Sequence, residues 1–419
     1  MQSYLYRHIT PRITEALKAS PIVFLNGARQ TGKSTLAQTI AGDIGANGRP
    51  ADYVTLDRPT YLASASSAPE AFLSGYEGPV IIDEVQLAPE LFRALKTVVD
   101  EGRQANREQA NGRYLLTGSA NILALPKLSD SLVGRMAILT LYPFTVGEAT
   151  DNRLGGLKRI LQFDFRGIDD RGLTLVNAMK QGTFPEIARA DAEKRRVWFD
   201  GYITAILQRD VRQVADLEKI SLLPHLLNVL AARTGALMND SDIARDVGLN
   251  SVTGKFYRNI LKLMFLTFDV RPWYRNVGKR LVKSPKGYLI DTCLICHLLD
   301  YNIDDIAVKK PDLFGHLVEN FVATELVKQL SNSDIKAELY HFRTSDGKEV
   351  DFVLERPDGS VFAIEVKRAE TVRMDDFKGI KAFQELTGND FIGGIVFYSG
   401  RDAVPFGKNL WAVPFFALW

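Results

Sequence analysis

Eight residues, Gly27-Ala28-Arg29-Gln30-Thr31-Gly32-Lys33-Ser34, restrict the possible folds more than any other segment of the chain. Two glycines flank four residues and Lys-Ser follows, which is the pattern of a phosphate-binding loop. The apolar residues 21–25 predict a buried strand before the loop, and residues 34–40 predict a helix after it. A strand, a glycine-rich loop and a helix in this order predict a nucleotide site.

The loop offers two kinds of contact to a nucleotide. Its backbone N–H groups, together with the N-terminus of the following helix, face an anion. We expect Lys33 to reach the outer phosphates of ATP and the Ser34 hydroxyl to bind Mg²⁺. The predicted nucleotide-binding residues of this segment are Gly27, Ala28, Arg29, Gln30, Thr31, Gly32, Lys33, Ser34 and Thr35.

Two acids follow a later predicted strand. Asp83 and Glu84 come directly after the apolar residues 79–82. We expect Asp83 to hold Mg²⁺ through water, and Glu84 to orient and deprotonate the water that attacks the γ-phosphate. Paired acids at this distance beyond a phosphate-binding loop favour nucleotide hydrolysis over nucleotide binding alone.

Polar residues after the next strands complete the predicted ATPase site. Ser119 and Asn121 are the candidates for a hydrogen bond to the γ-phosphate or to the attacking water. Arg135, which follows Gly134, is placed to reach the nucleotide of a neighbouring subunit and to offset charge in the transition state. The alternative is that Arg135 is an ordinary surface arginine.

Composition limits the class of protein. The chain has 419 residues, enough for two or three domains, and its 46% apolar and 24% charged residues are typical of a globular protein. The formal net charge is +2, so any nucleic-acid surface must be a local patch. No apolar run approaches the roughly 18 residues of a membrane helix. Two cysteines and no apparent signal peptide predict a cytoplasmic location and no membrane partner.

The pattern of strands and helices predicts an α/β fold. Uninterrupted apolar strands alternate with helices over residues 1–150, which indicates a parallel sheet covered on both faces. Residues 151–220 are predicted to be helical. Residues 221–305 predict a winged helix-turn-helix whose two wing strands are joined around residues 284–287. Residues 306–419 predict a compact α/β domain, with a hairpin turn at Arg356-Pro357-Asp358-Gly359.

The combined motifs resemble a widespread group of prokaryotic AAA-type ATPases that carry a C-terminal domain of unassigned function. The segments that carry the resemblance are the phosphate-binding loop, Ile-Ile-Asp-Glu-Val-Gln at 81–86, Leu-Thr-Gly-Ser-Ala-Asn at 116–121, Gly134-Arg135, Tyr142-Pro143-Phe144, Gly182-Thr183-Phe184-Pro185-Glu186 and Gln208-Arg209-Asp210-Val211. The resemblance covers the whole chain. It implies an ATPase core, a homo-oligomer with a hexamer favoured, and a position for Arg209 near the nucleotide or a subunit contact.

A basic segment suggests a DNA surface. Residues 245–286 contain ten lysines and arginines opposed by Asp246 and Asp269, a charge of +8. Such a concentration is expected where a protein contacts the phosphate backbone, and Trp273 and Tyr274 could stack on bases. The alternatives are a solvated helix face or a wing that binds protein. The predicted DNA-binding residues are Lys255, Arg258, Lys262, Arg275, Lys279, Arg280 and Lys283.

Two acids and a lysine lie in the predicted C-terminal hairpin. Asp351 lies in one predicted strand, and Glu365-Val366-Lys367 ends the next strand. This arrangement resembles the PD-(D/E)xK nuclease core. By the resemblance, Glu319 on the preceding helix, Asp351 and Glu365 would bind a divalent metal ion, and Lys367 would position or deprotonate a water. The segment lacks the proline of that motif, because Glu349-Val350 precedes Asp351. Many proteins with such a core bind DNA without cutting it.

Three functions remain open on this basis. The leading hypothesis is an ATPase that couples hydrolysis at subunit interfaces to remodelling of, or movement on, DNA, including branched junctions. The second is an ATP-regulated, metal-dependent endonuclease of a defence system or mobile element. The third is a switch in which bound nucleotide controls the docking of a protein partner. The predicted ligands are ATP, Mg²⁺ and DNA.

Overall fold

A computed structural model describes residues 4–45, 50–106, 110–119, 132, 134–152, 155–170, 172–214 and 219–419. The chain divides into two compact units. The first comprises Met1–Pro143 with Leu263–Phe265 and Ser331–Ser333, and the second comprises Phe144–Lys262, Leu266–Leu330 and Asp334–Trp419.

A five-stranded parallel sheet forms the centre of the first unit, with the strand order β2-β3-β4-β1-β5. Its elements are α1 (Thr10–Ala19), β1 (Ile22–Asn26), α2 (Lys33–Ile40), β2 (Asp52–Thr55), α3 (Pro59–Ser67), α4 (Pro69–Ser74), β3 (Val80–Asp83), a 3₁₀ turn (Val85–Leu87), α5 (Leu91–Ala105), β4 (Tyr114–Gly118) and β5 (Met136–Thr140). The prediction of a parallel sheet from five apolar strands is therefore confirmed.

Both faces of the three central strands, β3, β4 and β1, are buried. Alternate residues of β1 belong to different core clusters, with Ile22 and Phe24 in one and Val23 and Leu25 in the other. Side chains alternate between the faces of a strand, so a strand covered on both sides is apolar along most of its length. All five residues of β1 are buried accordingly. The polar residues that follow these strands therefore lie at the edge of the sheet where the strands end.

An eight-stranded mixed sheet forms the second unit, with the strand order β12-β13-β11-β10-β9-β8-β6-β7. The strands are β6 (Thr267–Pro272), β7 (Lys286–Leu289), β8 (Glu338–Arg343), β9 (Glu349–Glu355), β10 (Val361–Val366), β11 (Phe391–Tyr398), β12 (Val404–Gly407) and β13 (Leu410–Pro414). The turn predicted at residues 356–359 joins β9 to β10, and Gly359 has the positive φ of 84° that favours glycine there.

The helices of the second unit precede and interrupt this sheet. They are α6 (Val146–Ala149), α7 (Gly156–Leu161), α8 (Leu175–Lys180), α9 (Ala192–Ala205), a π-helical turn (Ile206–Asp210), α10 (Val211–Val214), α11 (Leu223–Ala232), α12 (Asp240–Val247), α13 (Ser251–Leu263), α14 (Val277–Val282), α15 (Thr292–Leu298), α16 (Ile303–Lys309), α17 (Pro311–Asn332) and α18 (Lys378–Thr387), with 3₁₀ turns at Ile220–Leu222, Met374–Phe377, Gly388–Asp390 and Phe415–Leu418. Within the described ranges, no helix is both long and apolar enough to cross a membrane.

Helices α12 and α13 occupy the segment for which the sequence predicts a helix-turn-helix. Gly248, at the end of α12, has a φ of 76°, and three residues separate the two helices. Gly254 of α13 faces Ala244 of α12 so closely that a Cβ at position 254 would lie 2.6 Å from the Ala244 Cβ. The close approach of the two helices therefore depends on the absence of a side chain at Gly254.

The predicted wing differs from the structure. Strands β6 and β7 do pair antiparallel, but α14 lies between them, and β7 already begins at Lys286. The prediction of a hairpin turning at residues 284–287 is therefore wrong. Strand β6 also pairs in parallel with β8. The two wing strands thus extend the C-terminal sheet, because the free edge of β8 is covered by the backbone of β6.

Candidate functional site

The phosphate-binding loop follows β1 directly. Gly27 has a φ of 147°, and a Cβ at this position would overlap the carbonyl oxygen of Leu141. Gly32 has a φ of 88° and precedes the first residue of α2, Lys33. The two glycines therefore allow the chain to turn sharply between β1 and α2, which brings the N-terminus of α2 to the carboxyl end of the sheet.

Lys33 is folded against the loop that it ends. Its side chain is buried, and its Nζ atom donates to the carbonyl oxygens of Gly27 at 3.0 Å and Ala28 at 2.8 Å. The Thr31 hydroxyl also donates to Ala28, at 2.9 Å. The ammonium group is thereby held at the loop, where the backbone N–H groups favour an anion.

Arg7 supports the loop from outside, and nothing in the sequence pattern identified it. Arg7 is 2% exposed, and its guanidinium donates to the carbonyl oxygens of Thr31 at 2.8 Å and Tyr142 at 2.6 Å. A lone arginine before the first helix belongs to no recognisable motif. Through these two hydrogen bonds, Arg7 connects the phosphate-binding loop to the segment that follows β5.

Asp83 lies at the end of β3 and is held by two hydroxyl groups. Tyr53 of β2 donates to Asp83 Oδ2 at 2.6 Å, and Thr117 of β4 donates to Asp83 Oδ1. Burial and the hydrogen bond to Asp83 raise the pKa of Tyr53 to about 12, although hydrogen bonds with Gln38 and Ser34 oppose the shift. Asp83 and Ser34 therefore both lie beside the Tyr53 hydroxyl. Their oxygens fit the hard, oxygen-preferring Mg²⁺ ion that accompanies ATP.

Glu84 follows at once, in a left-handed backbone conformation with a φ of 56°. Gln86 donates from Nε2 to the Glu84 carboxylate and also to the Ser119 hydroxyl, at 3.1 Å. Three polar side chains from the ends of β3 and β4 are thus brought together, and two of them, Glu84 and Ser119, were predicted. Gln86 was not predicted to act here. Asn121 lies outside the described residues.

Arg135 is bound within its own unit. Its Nε and Nη2 atoms contact the two oxygens of Asp100 at 2.6 and 2.8 Å, and the hydrogen bond lowers the pKa of Asp100. A bidentate pair of this kind holds the guanidinium in a fixed orientation. Arg209, the other arginine implied by the resemblance, is exposed on the π-helical turn of the second unit.

The C-terminal acids come together with two lysines. Lys286 of β7 contacts Glu319 Oε1 at 2.8 Å and Asp351 Oδ1 at 3.6 Å. Lys367 contacts Glu365 Oε1 at 2.8 Å. The sequence pattern placed Lys286 in the basic segment, whereas the structure buries it between two carboxylates.

This arrangement does not fit a divalent metal ion. Over the described residues, which include Glu319, Asp351 and Glu365, no three histidine, cysteine or acidic side chains are grouped so that they could hold a metal. An ammonium group lies where two of the expected ligands converge. The predicted metal site at these three acids, and the predicted role of Lys367 in positioning a metal-activated water, stay predictions that this ion pairing does not support.

Three of the predicted DNA-binding residues are engaged inside the second unit. Arg258 is 5% exposed and pairs with Asp240 and Asp269, each at 2.8 Å. Lys262 pairs with Asp269 at 2.9 Å. Arg280 is buried against the Trp273 and Tyr340 rings and pairs with Glu355. Carboxylates of the same chain already neutralise these cations, which does not support the prediction that they face a phosphate backbone.

The other predicted DNA-binding residues are at the surface. Lys255, Lys279 and Lys283 are exposed, and Arg275 is exposed while donating to the carbonyl oxygens of Leu386 and Thr387. Trp273 is buried, so it is not available to stack on a base. The positive charge that residues 245–286 expose at the surface is therefore smaller than the +8 counted from their sequence.

Three protein-family models together match most of the chain. Residues 19–150 match the AAA domain family. Residues 173–305 match a domain of unknown function, DUF8612, and residues 314–418 match another, DUF4143. The first match contains the phosphate-binding loop and the two acids at the end of β3, and it supports an ATPase domain that uses ATP with Mg²⁺.

Solved structures share little with this chain. The Orc1 protein of Aeropyrum pernix in complex with DNA is 14% identical, with 72% of this chain and 93% of that chain covered and a TM-score of 0.25. A DNA replication initiation factor is 13% identical, with 76% and 92% covered and a TM-score of 0.27. TM-scores this low support no inference about fold or function.

Relatives by sequence are more informative. The uncharacterized protein Rv2008c of Mycobacterium tuberculosis is 30% identical over 370 residues, which cover 87% of this chain and 74% of that protein. An uncharacterized protein of Haemophilus influenzae is 24% identical over 289 residues, which cover 66% of this chain and 63% of that protein. The identity and coverage shared with the mycobacterial protein show that this chain belongs to the same family, which has an AAA-type ATPase domain followed by DUF8612 and DUF4143.

Proposed function

We propose that this protein hydrolyses ATP at the edge of its parallel sheet and that an oligomer couples hydrolysis to the remodelling of DNA. The observation that carries the ATPase part is the position of Glu84. Its carboxylate is held by Gln86 beside Ser119, at the same edge of the sheet as the phosphate-binding loop. The carboxyl ends of parallel strands meet at that edge, which is where α/β proteins bind ligands.

Each residue has a separate role in this proposal. The loop amides and Lys33 bind the phosphates, and Glu84 orients the attacking water and accepts its proton. Ser34 and Asp83 would hold Mg²⁺, which neutralises charge on the phosphate oxygens when it is bound. Tyr53 and Thr117 position Asp83 through their hydrogen bonds. Arg135 of a neighbouring subunit offsets the charge that develops on the γ-phosphate.

The test is steady-state ATP hydrolysis by the full chain beside Lys33→Ala and Glu84→Gln. We expect Lys33→Ala to lose ATP binding, because its ammonium is the loop's charged phosphate contact. Glu84→Gln should keep ATP binding and lose about 10²- to 10⁴-fold in kcat, the usual contribution of a general base. Lys96→Ala and Glu101→Gln make the same changes at exposed positions of α5 and should leave turnover unchanged. Wild-type turnover by Glu84→Gln would contradict the assignment.

The DNA part depends on the helix-turn-helix and on the cations that remain exposed. The outer face of α13 presents Lys255 together with Val252 and Phe256, which are 81% and 48% exposed. Lys279 and Lys283 are exposed on and just after α14. Helix-turn-helix proteins insert the second helix into the major groove, and exposed lysines add salt-dependent phosphate contacts.

DNA binding is tested by anisotropy with duplex, single-stranded and four-way-junction DNA over a range of salt concentrations. The triple variant Lys255→Ala, Lys279→Ala, Lys283→Ala should lower the salt slope by about 2 to 3, close to one unit for each phosphate group that a lysine no longer neutralises. Lys309→Ala, Lys348→Ala, Lys378→Ala removes the same charge from exposed lysines elsewhere and should not change it. If the two triple variants had the same salt slope, and none of the three DNA forms changed the rate of ATP hydrolysis, the result would favour a protein-binding switch instead.

A further inference from the structure

Lys286 lies between two carboxylates that come from different elements. Its Nζ atom is 2.8 Å from Glu319 Oε1 on α17 and 3.6 Å from Asp351 Oδ1 on β9. The lysine itself is the first residue of β7 and is 9% exposed. One buried positive charge thus links acids from a helix and from another strand of the same sheet, which is the placement that a bound cation would have.

Two further hydrogen bonds fall on oxygens of Glu319 and Asp351 at which a metal would bind. The Tyr288 hydroxyl donates to Glu319 Oε1 at 2.6 Å, the same oxygen that Lys286 contacts. The backbone N–H of Val366 donates to Asp351 Oδ2 at 2.9 Å. Hydrogen bonds of this kind satisfy the lone pairs that a hard cation would need.

The charge of the cluster also disfavours a divalent ion. Three carboxyl groups, those of Glu319, Asp351 and Glu365, face the two ammonium groups of Lys286 and Lys367. The two ammonium groups leave the three carboxylates with a single net negative charge. Divalent ions are bound by sites with an excess of carboxylate charge.

We propose that Lys286 takes the place of the metal ion in this C-terminal cluster, so that the chain supplies its own cation and no divalent ion binds there. The cluster is then an internal ion-pair network that joins β7, α17 and β9. Hydrolysis of a phosphodiester by a metal-activated water is not available to it. Any contact of this domain with DNA would be binding without cleavage.

The first experiment measures Mn²⁺ binding by electron paramagnetic resonance in the full, nucleotide-free protein. Wild type and Asp351→Asn should bind the same number of ions, because no ion is held by Asp351. An additional Mn²⁺ in wild type that Asp351→Asn loses would overturn the proposal. This comparison does not depend on any change at Lys286, so it remains decisive if variants of that residue fail to fold.

The second experiment removes the internal cation. Lys286→Met keeps the length of the side chain and should gain one Mn²⁺ per chain, which the double variant Lys286→Met, Asp351→Asn should lose. Lys367→Met is the matched control, since it removes a lysine from the same cluster but not from between Glu319 and Asp351. A folded Lys286→Met that gains no ion, or an equal gain in Lys367→Met, would contradict the placement of the cation at Lys286.

Discussion

At the scale of single residues, Gln86 connects the predicted catalytic acid to its surroundings. Its Nε2 atom donates to Glu84 and to Ser119, and its amide oxygen is buried. We expect Gln86→Leu, which keeps the volume but removes the donor, to lower kcat by about 10- to 100-fold through misplacement of the Glu84 carboxylate. The KM for ATP should change less, because the phosphate contacts are made elsewhere. Steady-state kinetics separate the two effects, and an unchanged kcat would remove Gln86 from the mechanism.

His341 gives a prediction about pH. Burial, and then the nearby Lys286 charge, lower the pKa of this histidine to about 3, well below its ordinary value of 6.5. Between pH 6.5 and pH 3, His341 therefore binds a proton in the unfolded chain but not in the folded chain. The free energy of unfolding that depends on neutral His341 is fully present above pH 6.5 and decreases as the pH falls toward 3. Wild type should lose about 2 kcal/mol between pH 7 and pH 5 from this residue alone.

The measurement is urea unfolding of wild type and His341→Gln at both pH values. The variant should lose about 2 kcal/mol less than wild type on acidification, whatever its stability at pH 7. His225→Gln replaces an exposed histidine and should not alter the dependence. Equal losses in wild type and His341→Gln would show that His341 does not contribute.

At the scale of elements, the helix-turn-helix is sensitive to one methyl group. A Cβ at Gly254 would lie 2.6 Å from the Ala244 Cβ, so Gly254→Ala should force α12 and α13 apart and cost about 1 to 3 kcal/mol of stability. Gly201→Ala lies in α9 with no atom within 4 Å of the added Cβ, and should instead stabilise by about 0.5 to 1 kcal/mol. Unfolding midpoints of the two variants should therefore move in opposite directions. A stabilised Gly254→Ala would show that α12 and α13 are not in close contact.

At the scale of the whole molecule, the proposed role of Arg135 predicts complementation between inactive chains. Glu84→Gln has a defective site but an intact arginine, and Arg135→Ala has the reverse. If Arg135 acts on the neighbouring subunit, mixing the two should restore part of the ATP turnover, because some interfaces then combine an intact site with an intact arginine. Asp100→Asn breaks the same ion pair while keeping the arginine, and should remain active. No recovery in the mixture would place the action of Arg135 within its own chain.

The AAA domain could be predicted from the sequence because its signals are local. The loop, the five apolar strands and the acids after β3 each occupy a few consecutive residues, and the order of elements determines which strand ends share an edge. Tyr53 and Thr117 were missed, since single polar residues within strands follow no pattern until the neighbouring strands are known. Gln86 was recognised only as part of a motif.

The sequence by itself determined where the phosphate-binding loop and its acids lie, and that the chain alternates strands and helices in its first third. Only the tertiary structure decided which charges are free. Arg258, Arg280 and Lys286 count as three surface cations in a charge sum, yet each is buried against carboxylates distant in the chain. The reason is physical: a buried charge must be paired, and its partner is fixed by which strands and helices pack together rather than by neighbours in sequence.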